Sequence, residues 1–379
     1  MRQSSFSTSD FLSPAVREMQ PSGIRKFFDL TTGKQGLISL GVGEPDFVTP
    51  RPIREACIRA LEQGRTTYTP NAGLPELREA VADYLDASIQ VPYDSSGEVI
   101  ITVGSSEAID LALRALITSG DEILVPEPSY ISYSPITSLS GGTTVPVETR
   151  AEQQFKLTAE ALTAKLTPRS KVLVLCYPNN PTGAIMTYED WIPIAKIAEE
   201  RNLFVISDEI YAELTYDGRH VSIASLPGMR DRTLVVGGFS KAFAMTGWRV
   251  GYACGPQEII AAMLKIHQYT IMCAPILGQI AALESLRQGM EEKDRMMESY
   301  NRRRLSFVKG LRQIGSALPR AVRLLLCLSF HCAYRVNFGT VCPEAAGGGP
   351  GGCRTRQCFR SGRRRVHPLL LRHIPGQAG

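Results

Sequence analysis

Residues 171–241 decide the fold, and three runs within them carry the reading: KVLVLCYPNNPTG (171–183), NLFVISDEIY (202–211) and TLVVGGFSK (233–241). Near the start of each come three to six apolar residues rich in Val, Leu and Ile, too short for a core helix and unbroken by the polar alternation of a half-exposed strand. Such runs read as strands buried on both faces of a sheet. Between the first two lies YEDWIPIAKIAEERN (188–202), whose apolar residues recur at helical spacing.

Working outward, EVIITVG (98–104) is a strand feeding the helix SSEAIDLALRALI (105–117). DEILVPEP (121–128) is a strand followed by a helix over YISYSPITSL (130–139). Strand and helix alternate from Val99 to Cys254, which predicts an α/β fold: a mostly parallel sheet with helices on both faces. Residues 46–288 form the large domain on this reading, and 1–45 with 289–379 a smaller one built from both chain ends. Pro275 is expected to start a long helix running toward Gln313.

Composition narrows the function. No apolar run approaches the roughly 20 residues of a membrane span. Met1 to Phe11 is Ser-rich without an apolar core, so no secretory signal is expected and a cytoplasmic location is the default. Nine cysteines without paired spacing indicate neither a disulfide framework nor a zinc site, and no metal is expected. The net charge of +5 is uneven: Leu318 to Gly379 holds ten Arg and one acidic residue, Glu344, so the remainder is net acidic. That gives no reason to expect a nucleic-acid partner.

In parallel sheets ligands gather beyond the C-terminal strand ends, and there the chemistry-bearing residues fall. Lys241 follows VVGGFS and precedes AFAM, surroundings that disfavour an ammonium and so favour a nucleophilic amine. Arg249, eight residues on, is a second cation with a planar fork suited to phosphate. Asp208 closes an apolar strand, where a buried carboxylate can pair with a protonated ring nitrogen; Tyr211 follows three residues later. Asn179 to Gly183 reads as a turn. Gly104-Ser105-Ser106 offers free N–H groups and hydroxyls at a helix start, which suits an anion. Taken singly, each has a bland reading as a surface lysine, an acidic pair, a turn or an N-cap.

Their order and spacing are specific. With LGVGEPDFVTP (40–50) and YTPNAGLPELREA (68–80), they resemble the class I aminotransferases of pyridoxal-phosphate (PLP) fold type I, in the aspartate/aromatic group, from about Gly23 to Gly315. The resemblance implies that Lys241 attaches PLP covalently and then acts as the proton-transferring base. It implies that Asp208 keeps the ring nitrogen protonated, and that Tyr211 and Asn180 bond the ring's phenolic oxygen. Arg249, Ser105 and Ser106 would hold the phosphate, Tyr130 would stack on the ring, and Gly43, with Asn180, would face the substrate. Tyr68 would reach the neighbouring subunit's site, which implies a homodimer. Relatives carry a hydroxyl three residues before the lysine; here that position is Gly238, and Ser240 is expected to point elsewhere.

The resemblance implies a transaminase exchanging an L-amino acid, aspartate, aromatic or similar, with a 2-oxo acid such as 2-oxoglutarate. A PLP-dependent β-lyase is the alternative within the same fold, and a PLP-binding but inactive protein the alternative outside enzymes. A DNA-binding regulator is not expected, because too few residues precede GEPDF for an added module. The tail departs from the family. Nothing after Gly315 resembles the segment that supplies the carboxylate-binding arginine. Shifted by one nucleotide, Gly352 to Ile374 permits AVVPGNAFGAGGEGFIRCSYATS, and 318–328 shifts likewise, so a single frameshift near Ser316 is expected. The tail cysteines Cys327, Cys332, Cys342, Cys353 and Cys358 would then be accidental.

Overall fold

The computed structural model describes residues 7–21, 37–38, 43–313 and 371–372. The expectations for 318–370 and 373–379, including the frameshifted segment, lie outside the described residues.

Seven strands form one sheet: β1 (Val99–Thr102), β2 (Glu122–Glu127), β3 (Thr143–Glu148), β4 (Ser170–Cys176), β5 (Phe204–Asp208), β6 (Thr233–Gly238) and β7 (Gly251–Cys254). Their order across the sheet is β1-β7-β6-β5-β4-β2-β3. Every pairing is parallel except those of β7, which runs antiparallel to both β1 and β6. The α/β fold with a mostly parallel sheet is therefore as expected. Two strands were not legible in the sequence, β3 and β7. β3 is an edge strand carrying Pro146 and only partly buried, which blurs its pattern.

Side chains alternate across the sheet. Val172, Val174, Ile206, Leu234 and Val236 pack on one face with Ile109 and Leu113 of helix α3 (Gly104–Leu116). Leu173, Leu175 and Val205 pack on the other with Trp191 and Ile194 of α5 (Tyr188–Glu200). That second face continues through Val99, Ile101 and Val235, covered by α1 (Arg51–Glu62) and α2 (Pro75–Ile89). Burial on both sides, at about 1.5–3 kcal/mol per large aliphatic side chain, explains why these strands read as unbroken apolar runs. Helix α4 (Tyr133–Leu139) lies where the sequence places one, and α6 (Gln257–Thr270) packs against α3.

The expected long helix from Pro275 is two helices, α7 (Ile276–Gln288) and α8 (Met290–Gln313). Gly289 separates them. A Cβ there would lie 2.6 Å from the Ser285 carbonyl and 3.2 Å from Ile53 of α1, so glycine lets α7 press against its neighbour. The break costs little because glycine is already a poor helix residue.

Among the described residues no helix is long and apolar enough to cross a membrane, and no cluster of His, Cys, Asp or Glu has metal-binding geometry.

Candidate active site

The C-terminal ends of β4, β5 and β6 lie side by side. Cys176 pairs with Asp208, and Asp208 with Val236. Beyond them opens a cavity of about 270 Å³ lined by Gly43, Ser105, Ser106, Tyr130, Asn180, Asp208, Tyr211, Ser240, Lys241 and Arg249, among others. Residues from separate parts of the chain thus converge on one cleft. Tyr68 does not line it; its side chain is 81% exposed.

Asp208 forms the floor. It is buried, and each oxygen has one donor: the Tyr133 hydroxyl at 2.7 Å on Oδ2 and the Ile210 amide at 3.2 Å on Oδ1. Burial pushes its carboxyl up to about 6, although the Tyr133 bond, the Ile210 amide and Lys241 pull the other way. A carboxylate held in this way is poised to accept from a cationic N–H donor, which would bring its proton affinity down again.

Lys241 enters from the loop after β6. Its Nζ donates to the Gly43 carbonyl at 2.6 Å and lies 5.7 Å from the centre of the Tyr211 ring. Burial lowers its proton affinity and Arg249 adds to that, against the opposing pull of Glu44 and Asp208. The amine is therefore shifted toward the neutral form that attacks carbonyl carbon.

On one wall, Asn180 Nδ2 donates to the Tyr211 hydroxyl at 3.2 Å. The turn that aims Asn180 is tied by its neighbour. Asn179 Oδ1 accepts from the Thr182 amide at 3.1 Å and the Thr182 hydroxyl at 2.8 Å, and the Asn179 carbonyl accepts from Gly183. The residues that read as a bland turn are a bracket for one amide. Tyr130 packs edge-on against Tyr133, with centroids 5.5 Å apart.

At the far end Ser105 and Ser106 open α3, whose first-turn amides have no partner within the helix. Arg249 faces them in a left-handed conformation (φ 52°), its Nη1 donating to the Thr246 carbonyl at 2.9 Å. Two glycines keep this corner open. Gly104 has φ +76°, and a Cβ on it would lie 2.6 Å from Arg249 Nη2; a Cβ on Gly251 would lie 2.5 Å from the Ser105 amide. The donor set thus fits a flat cofactor with a carbonyl, a basic ring nitrogen and a phosphate. An amine, a buried carboxylate and an anion cradle with a guanidinium are all present in one cleft.

At Gly238, where some relatives carry a hydroxyl, a side chain would be tight: a Cβ there would lie 3.1 Å from Ile210 Cδ1 and 3.2 Å from Gly251 Cα. Ser240 is among the residues that line the cavity. The sequence reading missed Tyr133, Cys176, Glu44 and Thr246. Cys176 is buried inside an apolar run and Tyr133 in a serine-rich helix start, and neither carries a local mark of function.

The chain matches the family model for aminotransferase class I and II over residues 35–334. It is 51% identical over 307 residues to YugH of Bacillus subtilis, an aminotransferase by name, covering 81% of this chain and 80% of the relative. It is 43% identical to an aspartate aminotransferase of Pyrococcus abyssi, covering 80% and 79%. Among solved structures, the aspartate aminotransferase of Thermus thermophilus with maleate superposes with a TM-score of 0.78 at 39% identity, covering 82% of each chain. From the cleft and these likenesses together, the chain belongs to the class I and II aminotransferase family, and is a transaminase that works with pyridoxal phosphate.

Proposed function

We propose that the cleft at the ends of β4, β5 and β6 is the transaminase active site, with Lys241 as the residue that attaches the cofactor. The convergence of Lys241, Asp208 and Arg249 on one cavity carries this reading. Pyridoxal phosphate, when bound, supplies an electron sink for the pair left at the substrate's Cα. Asp208 holds the proton on the ring nitrogen. Asn180 and Tyr211 bond the phenolic oxygen, Tyr130 covers the ring, and Arg249, Ser105 and Ser106 hold the phosphate. Lys241 Nζ would take the proton from the substrate Cα and pass it to the cofactor's C4′. Gly43, whose carbonyl already meets Nζ, brings backbone close to the substrate, with Asn180 beside it.

Relatives named for aspartate and for aromatic amino acids support an L-amino acid of that kind as donor and a 2-oxo acid such as 2-oxoglutarate as acceptor. The exposed Tyr68 is placed to serve a second copy, which supports a homodimer with shared sites. Residues 46–288 make up the large domain, and 1–45 with 289–379 the smaller one. The coding sequence carries a one-base shift near Ser316; its correction restores the carboxylate arginine at the codons of Pro368 and Leu369.

Borohydride reduction of the holoenzyme followed by peptide mapping tests the assignment. A cofactor adduct on the peptide holding Lys241 supports it, and an adduct elsewhere overturns it. Resequencing across the codons for Gly310 to Gly379 tests the shift.

A further inference from the structure

Glu107 stands in the first turn of α3, next to Ser106, yet turns away from the residues that line the cleft. Its Oε2 accepts the amide of Val103, the last residue before the helix, and its Oε1 meets His267 Nδ1 at 2.8 Å. An ionised carboxylate only accepts, so Nδ1 carries the shared hydrogen.

His267 lies near the end of α6 and is fully buried. Its other nitrogen, Nε2, has no partner among the described residues. Leaving a buried ring nitrogen unpaired is unfavourable, and an apolar side chain of similar volume would fill the space without that cost. Packing therefore does not account for an imidazole here; the bond to Glu107 does.

We infer that His267 is a positioning residue for the cofactor phosphate, acting through Glu107 on the turn from β1 into α3. The inference rests on the proposed reading of the cleft, in which Ser105, Ser106 and the first amides of α3 receive that phosphate. His267 holds the carboxylate, the carboxylate holds the Val103 amide, and Gly104 follows in its left-handed conformation.

The test compares pyridoxal phosphate with pyridoxal, which lacks only the phosphate, by absorbance titration of the full-length apoprotein. His267→Leu removes the donor. His267→Gln keeps a polar side chain but sets its amide where Nε2 lies, out of reach of Glu107. His267→Asn sets its amide at the place of Nδ1. The expected result is a loss of pyridoxal phosphate affinity of about tenfold or more in His267→Leu and His267→Gln, with pyridoxal affinity unchanged and His267→Asn close to the parent. Equal weakening of both ligands, or no weakening of either, overturns the inference. Should His267→Leu not fold, His267→Gln against His267→Asn decides the same question. Borohydride labelling of each titrated sample separates the two levels. A label on Lys241 with equal weakening removes the inference alone, whereas a label elsewhere removes the cleft reading and the inference with it.

Discussion

The Tyr133 hydroxyl donates to Asp208 Oδ2 at 2.7 Å across a sequence separation of 75 residues, with both side chains buried. Tyr133 is the first residue of α4 and Asp208 the last of β5, so the contact ties a covering helix to the C-terminal end of a central strand, at the proposed cofactor cleft. Burial raises the carboxyl to about 6, and Tyr133 is the largest influence opposing it. The hydroxyl keeps the carboxylate available.

Replacing Tyr133 with Phe should therefore leave the fold intact and push the Asp208 carboxyl higher. A hydrogen bond to a charged group is worth about 1.5–3 kcal/mol, so transamination should slow by roughly ten- to a hundredfold. The acidic limb of the pH–rate profile should move upward. A profile with an unmoved acidic limb would remove Tyr133 from the mechanism.

The raised carboxyl also predicts a stability effect in the apoprotein. A carboxyl whose folded value, about 6, exceeds its unfolded value of 3.8 binds protons more tightly when folded. Its favourable contribution is present below the unfolded value and is lost as pH rises through about 6. At pH 8 the buried carboxylate costs about 3 kcal/mol. Asp208→Asn should raise the apoprotein melting temperature at pH 8 and have little effect near pH 4. An equal rise at both pH values would contradict this account.

This pair also marks where sequence reading stops. Lys241 and Asp208 were legible because each interrupts or closes an apolar run with a group that needs a reason to be there, whereas Arg249 was read from its distance to Lys241, and Asn180, inside a turn, only through the resemblance. Tyr133 gave no such sign: within YISYSPITSL a tyrosine serves equally well as helix-face packing, and only the tertiary fold brings it to Asp208. The strands of the sheet centre were legible because both their faces are buried. Gly251–Cys254 was not, since three residues between two glycines carry too little pattern, and its place in the sheet depends on pairing with β1, far away in the chain. The break at Gly289 was missed because the helical pattern continues across it, and a Cβ there would meet the Ser285 carbonyl first and then Ile53 on another helix.

Lys241→Ala should abolish the borohydride-reducible cofactor adduct while leaving the protein folded, since the lysine is only half-buried and among the described residues its side chain bonds just the Gly43 carbonyl. Noncovalent cofactor should remain, removable by gel filtration. An adduct surviving in this variant would mean that a different amine carries it.

Arg303 of α8 forks onto both oxygens of Asp46 at 2.8 and 2.7 Å and lies 4.9 Å from the Phe47 ring centre, beside the segment that carries Gly43. Both charged side chains are about half exposed, so screening limits the pair to about 1 kcal/mol or less. Arg303→Ala should thus barely move the melting temperature. Because the same contacts hold the backbone that Lys241 touches, KM should rise severalfold with a smaller change in kcat. A large fall in stability with unchanged KM would make the contact purely structural.

The reversed strand β7 has a consequence for how this site can change. Between parallel neighbours the chain must cross back over the sheet through a dozen or more residues, and a side chain beyond β6 would then share nothing with one arriving at the next strand. Because β7 runs the other way, residues 239–250 form a single bend that returns at once to the same rim, carrying Lys241 on its outgoing limb and Arg249 on its incoming one. The ladder that pairs Gly238 with Gly251 pins both ends of that bend. The two cations, three residues beyond one pinned end and two before the other, are held to one rim: breaking the Gly238–Gly251 pairing would displace both, and the cleft can exchange its substrate-facing walls far more freely than this bite.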